Sequence, residues 1–529
     1  MTKGPFGIPA FISTPHVSVL ALAECRSPQA FFAKVRAAAR GAVLMESADQ
    51  SARSGIKSLV IPAGLVRLTL RGERGVYRAL SVRSGRLLDA LAARLPSARR
   101  GSETLEADFP EAIKDPATAD DDRLRSPSVL DGVRALTSLV ADEASTVLAP
   151  GVYGAFSYEI VDRFEVLPTR KPDAVGDADA ELVLAADAIV YDHIQETVQI
   201  ITRSLDDSEE ERQASQARHA RYLAALASGG RDHALAPQVE RVRLEKAVET
   251  DVSDAQFRAS VERFLEHIRA GDIFQGVLSR GLHMKSAAES LDVYRELRRE
   301  NPSPYMFHLD LEDGALLGAS PETCIKVEDG EVEIRPIAGT APRGLDGEGR
   351  VDIELDTRLA VGLLLDRKEQ AEHAMLVDLA RNDVARVSAS GTRRVEEPLS
   401  IEKYSHVQHL VSRVCGRLRA DLDALHAYRA SANMGTLTGA PKLRAMELIR
   451  EEEPFSRGYY GGAVGYLLQD GSFDSCIVIR SLRYHNGRYL CRAGAGIVAD
   501  SVPERELEET EHKARACRVA VAAAEGSRS

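Results

Sequence analysis

The sequence predicts a mixed fold in which strands and helices are built into one large chain, and two patterns carry that expectation. Short runs of alternating hydrophobicity bounded by turn residues recur along it, as half-buried strands do. Between them lie stretches with apolar residues at helical spacing, the clearest being DAQFRASVERFLEHIRAG, Asp254 to Gly271.

Taken in order, Ser58 to Gly72 and Gly75 to Gly85 alternate as strands, and RLLDALAARL after them reads as a helix. The stretch from Gly101 to Asp122 is polar and acidic and is expected to be a surface excursion. ELVLAADAIVYDH and TVQIITRSL predict a further strand pair, and DDSEEERQASQARHARYLAALAS a charged helix. GGRDHALAPQ then reads as a linker. From Asp251 the texture changes to short strands and many glycine-containing turns, so a boundary is expected that separates residues 1–245 from 246–529. One sheet system drawing strands from both regions is the alternative.

The chain has 529 residues, too many for one small core and enough for two domains or one unusually large one. Its 44% hydrophobic and 28% charged residues are ordinary for a soluble protein. A formal charge of −12 argues against general affinity for nucleic acid or an anionic membrane. The excess of arginine over lysine is read as a composition bias of the source genome. Six scattered cysteines without a CxxC suit a reducing compartment and no zinc or iron–sulfur site. With no secretory-type start and no stretch able to span a bilayer, a cytoplasmic protein is expected.

Two carboxylate pairs share one spacing. Glu369 and Glu372 lie three apart on a helix whose buried stripe is expected at Met375, Leu376 and Leu379. Glu506 and Glu509 follow SVPE, where Ser501 can cap, Pro503 can open the helix and Glu504 can close a capping box. Lys513 falls on the face of Glu509. Two such pairs can hold a hard cation that keeps several waters, as Mg²⁺ does. In a chain with 80 acidic residues, either pair alone usually means a solvated helix face.

Gly494 and Gly496 are expected to form a turn before the second acidic helix, where backbone N–H groups can approach an anion. Arg480 ends the apolar segment CIVIR and needs a counterion or a surface exit. A small carboxylate would satisfy both, and so would a structural salt bridge. Period two places His409 on one strand face with Val407 and Val411, as a core histidine or a catalyst. SANMGTLTGAPK does not fit a nucleotide-binding loop, and Rossmann and serine-hydrolase signatures are absent.

These motifs together resemble the chorismate-utilising enzymes, and among them the anthranilate synthase component I branch. The resemblance runs densely from Asp251 to Ala523 through GDIFQ, NPSPYMF, LLGASPE, RPIAGTAPRG, KEQAEHAMLVDLARND, KYSHVQHL, NMGTLTGAPK, YYGGAVGY, CIVIRS, AGAGIVADS and EETEHKA. It implies an α+β fold of large antiparallel sheets flanked by helices, with the active site in a cleft of the C-terminal portion. Mg²⁺ is implied between the acidic helices, nearest Glu372 and Glu509, with Glu369 and Glu506 acting through water. Arg480, Tyr460, Gly494 and Gly496 match positions that hold the enolpyruvyl carboxylate of chorismate. Gly339, Thr340 and Thr436 match cleft-lining positions, and Lys513 supports the acidic helix. Glu322 fits the general acid that protonates the leaving hydroxyl, and His409 a residue beside the ring.

Within the family, isochorismate and salicylate synthases carry a lysine where this chain has Gln275. Aminodeoxychorismate synthases, the runner-up, usually carry one where it has Ala338. The remaining chemistry is attack by external ammonia, giving anthranilate and pyruvate. A catalytically silent relative would be expected to lose an acidic pair, Arg480 or the paired glycines, and none is lost. The scattered cysteines match no glutaminase site, so glutamine use is expected to need a separate amidotransferase subunit, component II. The first region carries LMES, and with NPSPYM it matches the family's feedback site. Glu46, Ser47, Pro304, Tyr305 and Met306 are the implied lining for L-tryptophan, with Met45 departing from the usual leucine.

Overall fold

Strands of the alternating kind assemble into two large antiparallel sheets. The computed structural model describes residues 15–37, 39–47, 57–140, 150–227, 248–347, 350–404 and 407–526. One sheet has 12 strands and runs from His16–Ala21 through Val43–Glu46, Tyr305–Leu311, Gly314–Ser320, Ser481–His485, Arg488–Ile497 and Gln275–Lys285 to Glu249–Thr250. The other has 13 and runs from Ile337–Pro342 through Val407–Arg417, Thr323–Glu328, Phe473–Ile477, Ala463–Leu468 and Gly151–Phe156 to Arg99–Arg100. Each sheet takes strands from both sides of residue 245. The expected boundary itself, with GGRDHALAPQ, lies outside the described residues.

Side-chain alternation stacks the sheets. In Tyr305–Leu311, Phe307 and Leu309 enter a core that also holds Tyr153, Ala155 and Val464 of the other sheet. Met306, pointing the opposite way, joins Phe31, Tyr222, Tyr294 and Val521 of covering helices. Leu68, Val332 and Val414 pack the outer face of the second sheet against helices that supply Leu88, Leu136, Val384 and Leu425. The result is helices, sheet, sheet, helices, the α+β architecture expected.

The predicted helices are present at Gly85–Ala92, Glu209–Ala227 and Asp254–Ala270, the last opened by a Ser253–Gln256 capping box. The stretch from Gly101 to Asp122 is not wholly a surface excursion. Thr104–Asp108 pairs with Arg74–Ala79 and buries Leu105 and Ala107. Its outward residues are polar, and that composition hid the alternation.

The chain passes between the sheets at two neighbouring places. Gly314–Ser320 belongs to the first sheet and Thr323–Glu328 to the second, so Pro321 and Glu322 form one crossing. Phe473–Ile477 and Ser481–His485 make the return crossing at Val478 to Arg480. Backbone bonds join the crossings: Ile477 N–H donates to Glu322 O at 3.0 Å, and Ala319 N–H to Arg480 O at 3.1 Å.

Candidate active site

Because crossing residues leave both hydrogen-bonded ladders, their side chains can face a cavity instead of a core. Glu322 and Arg480 do so, on the wall of a cavity of about 490 Å³. Gln275, Gly339, Thr340, His409, Thr436, Tyr460, Gly494, Gly496 and Lys513 line the same space, as do Glu369, Glu372, Glu506 and Glu509. Every active-site residue anticipated from the sequence is therefore in one place.

Its polar groups are built for a ligand. Gln275 Oε1, Glu322 Oε1, Thr436 Oγ1 and Arg492 Nε are all buried there without a hydrogen-bond partner among the described residues. Each such group costs about 1–3 kcal/mol in a folded chain unless something satisfies it. Burial pushes the Glu322 carboxyl up to about 8, and the nearby Thr436 hydroxyl and Lys513 ammonium offset only part of that rise. Burial thus favours the protonated form of Glu322 at neutral pH. Arg480 adopts φ 50 and has no ion-pair partner among the described residues. Its expected counterion is therefore not a protein carboxylate.

His409 sits on Val407–Arg417, opposite Thr340. Its Nδ1–H donates to Gly339 O at 3.0 Å, which leaves Nε2 as an acceptor when the ring is neutral. Burial holds the imidazole below its usual value despite that bond. The strand register slips between Ala338 and Thr340. Gly339 takes φ 64 there, and a Cβ on it would lie 2.9 Å from Glu369 Oε2.

Gly494 and Gly496 do not form the turn expected from their spacing. They lie within the strand Arg488–Ile497, opposite Ser279 and Val277 of Gln275–Lys285. Close approach explains the glycines: a Cβ at Gly494 would stand 2.7 Å from Leu278 O and 2.9 Å from the Tyr460 hydroxyl. Behind Tyr460, Arg457 stacks 5.8 Å from its ring centroid and pairs with Glu453 at 2.6 Å, both buried. Burial alone would raise Glu453, but Arg457 and Arg492 outweigh it and hold the carboxyl below its ordinary range. Removing either partner would strand a charge, at a cost of about 3–5 kcal/mol.

The acidic pairs come from two helices. Arg367–Val387 is capped by Asp366, which accepts from Lys368 and Glu369 N–H groups. Its buried stripe is His373, Leu376 and Ala380, with Met375 and Leu379 only half-buried. Pro503–Gly526 opens on Pro503 as predicted, so Val502 occupies the cap position, and Ser501 Oγ accepts from Val498 N–H instead of capping. Burial raises Glu369, Glu372 and Glu506, and mutual repulsion adds to it, with Glu509 facing all three. Lys513 ties this helix to the glycine strand, donating to Glu509 Oε1 at 2.6 Å and Gly494 O at 3.0 Å. Among the described residues no acidic, histidine or cysteine side chains are gathered into a preassembled metal cluster. A carboxylate set spread over two helices still fits a cation that takes one or two protein ligands and fills its shell with water and substrate oxygens.

A second cavity, of about 520 Å³, contains Glu46, Ser47, Pro304, Tyr305 and Met306, drawn from both regions of the chain. Ser47 Oγ is buried without a partner among the described residues. Glu46 is engaged already, accepting from Gln29 Nε2 and the Tyr294 hydroxyl at 2.5 Å each. Lys326, Arg335, Glu328, Glu333 and Asp474 place both charge signs on the wall.

Sequence reasoning missed Arg492 and the Glu453–Arg457 pair. Period two puts Arg492 on the face of Gly494 and Gly496, a signal obscured by taking the glycines for a turn.

A family model described as chorismate binding enzyme matches residues 99–518. Anthranilate synthase component 1 of Haemophilus influenzae is 41% identical over 481 residues, 90% of each chain. The pyocyanine-specific anthranilate synthase component 1 of Pseudomonas aeruginosa is 42% identical over 499 residues, 93% of this chain and 92% of that one. The crystal structure of anthranilate synthase component I from Streptococcus pneumoniae superposes with a TM-score of 0.69 at 29% identity, covering 87% of this chain and 92% of that one. A menaquinone-specific isochorismate synthase from Escherichia coli, at 18% identity and a TM-score of 0.65, shares the fold over 97% of this chain and 96% of its own. The chain belongs to the chorismate-binding enzymes, and among them to the anthranilate synthase component I family.

Proposed function

We propose that the chain converts chorismate and ammonia to anthranilate and pyruvate with Mg²⁺, under feedback inhibition by L-tryptophan. The observation that carries this is Glu322, a carboxyl whose burial favours its protonated form, with Oε1 unpartnered among the described residues, on one cavity wall with Arg480 and both acidic helices.

Chorismate carries two carboxylates, and the cavity has two places for them. Arg480, Tyr460 and the glycine strand suit the enolpyruvyl group. Glu372 and Glu509, with Glu369 and Glu506 through water, would hold Mg²⁺ against the ring carboxylate. That ion supplies charge neutralisation and clamping when bound. Ammonia adds at C2 while the ring double bonds shift and the C4 hydroxyl leaves as water, taking the Glu322 proton. A base then removes the C2 proton, the C3–O bond breaks as the ring becomes aromatic, and the released enolpyruvate takes up a proton and tautomerises to pyruvate. His409 Nε2 is an acceptor beside the ring. Gln275 cannot act as a lysine base on water, and Ala338 offers no amine nucleophile.

The relatives' designation as component 1 supports a partner that releases ammonia from glutamine, an amidotransferase subunit. The second cavity, with both charge signs and an unpartnered serine hydroxyl, suits a zwitterionic amino acid such as L-tryptophan. Six free thiols, and no described helix long and apolar enough to cross a membrane, support a cytoplasmic enzyme, and the formal charge of −12 supports one without nucleic-acid partners.

The test is anthranilate fluorescence from chorismate and ammonium with and without Mg²⁺. A signal that needs all three supports the function. Turnover of chorismate without that signal would exclude it.

A further inference from the structure

A third cavity, of about 380 Å³, shares no lining residue with the two described above. It lies between the helices Asp120–Arg125, Arg367–Val387 and Lys442–Glu452. Four cations and three carboxylates line it, and six of these groups pair off. Arg123 meets Glu165 at 2.5 Å, Arg386 meets Asp120 at 2.9 Å and Lys442 meets Asp383 at 2.8 Å. The remaining cation is Arg429. It pairs with no carboxylate among the described residues, and its Nη1 and Nη2 donate to Leu124 O, Ser126 O and Ser126 Oγ at 2.9–3.2 Å.

This sets Arg429 apart from the other buried arginines. Arg67, Arg280, Arg450, Arg457, Arg483 and Arg492 each meet a carboxylate. Arg429 is 8% exposed, and its Nε makes no hydrogen bond among the described residues yet keeps accessible surface, unlike the Nε of Arg123 or Arg492. Burial pushes its guanidinium down to about 10, and Arg386, Arg134 and Arg123 add to that against the pull of Glu165. A charge in such surroundings is stabilised by an anion that reaches it.

The rest of the cavity is apolar. Val161, Phe164, Leu379 and Met446 line it, and the Arg429 guanidinium stands 5.0 Å from the Phe164 ring centroid. One unanswered charge beside an apolar wall matches one carboxylate on an apolar body. A dianion would exceed that charge, and a bare inorganic anion would leave the apolar wall unmet.

We propose that this cavity is a binding site for a small aromatic monocarboxylate, with its carboxylate at Arg429 and its ring against the apolar wall. The proposal is independent of what the first cavity binds.

Radiolabelled benzoate is the probe, in equilibrium dialysis against the full chain. Chorismate and Mg²⁺ are present to occupy the first cavity, and ammonium is left out so that nothing turns over. Benzoate should bind with a Kd of about 1 mM or below. Neither equimolar phosphate nor benzylamine, the same ring with the opposite charge, should displace it. Arg429→Gln should weaken binding at least about tenfold by removing the charge. Leu443→Glu is the second variant, because Leu443 is 43% exposed on the rim and its replacement leaves the buried network alone. It should weaken benzoate about threefold or more, whether the new carboxylate repels the ligand or itself pairs with Arg429. Absence of benzoate binding would overturn the proposal, as would binding that Leu443→Glu or a folded Arg429→Gln leaves unchanged. Displacement by equimolar phosphate or benzylamine would overturn it too.

Discussion

The Tyr305 hydroxyl lies 3.1 Å from Thr323 Oγ1, and Thr323 follows Glu322 in the chain. Thr323 lines the second cavity and Glu322 the first, so one peptide bond separates the acid from the implied tryptophan pocket. Tyr305 also donates to Asp474 Oδ1 at 3.0 Å, on the strand that leads to Arg480. A ligand that moves Tyr305 thereby acts on both crossings. Tyr305→Phe should raise the tryptophan concentration for half-inhibition about threefold or more, with uninhibited kcat within about twofold. An unchanged inhibition curve would separate the cavities functionally.

Ser47→Arg places a bulky cation where the Ser47 hydroxyl is buried without a partner among the described residues. It should raise the half-inhibiting tryptophan concentration at least about tenfold, because an amino acid's ammonium would meet like charge. Uninhibited turnover should persist. Dose–response curves for the two proteins decide it, and coincident curves would misplace the regulatory pocket.

Glu322→Gln removes the acid while keeping its shape. Turnover should fall about 10²- to 10⁴-fold. Stability should move the other way. The Glu322 carboxyl, raised by burial to about 8, binds its proton more tightly folded than unfolded, so its folded state loses stability as pH rises toward that value. Glutamine does not titrate. Its advantage in denaturant unfolding should therefore grow by about 3 kcal/mol between roughly pH 6 and pH 9, at about 1.4 kcal/mol per pKa unit. A pH-independent difference would mean that Glu322 is ionised in the fold.

The same group shapes the rate profile. With ammonium as nitrogen source, the rising fraction of free ammonia should increase the rate toward alkaline pH. Ionisation of Glu322 through about 8 should then bend it down. Divided by free ammonia concentration, the rate should show only the falling limb, and a flat quotient would assign proton donation elsewhere. Glutamine should support no activity until an amidotransferase subunit is added.

Much of the site was legible because its chemistry is local in the sequence. The spacing of Glu369 and Glu372, and of Glu506 and Glu509, does place each pair on one wall of the cavity. Long-range pairing was not legible. Nothing in CIVIR or ASPE announces that both segments pass between sheets side by side, which is what frees Arg480 and Glu322 from the ladders. Gly494 and Gly496 were misread for the same reason. Glycines in a strand signal close approach only when the approaching groups, Leu278 O and the Tyr460 hydroxyl, are known.

Glu372→Ala and Glu509→Ala should each leave the fold intact and raise the Mg²⁺ concentration needed for half-maximal rate. Each removes one carboxylate from the cavity wall proposed to hold Mg²⁺ against the ring carboxylate. Near-normal turnover at limiting Mg²⁺ would exclude that residue as a ligand.

The most direct test of the central claim is to trace nitrogen from ¹⁵N-ammonium into the product of the purified chain, chorismate and Mg²⁺. Because Ala338 offers no amine and Gln275 no base for water, ¹⁵N-anthranilate and pyruvate should form in equal amounts. Isochorismate, or an amine at C4 with no pyruvate released, would contradict it.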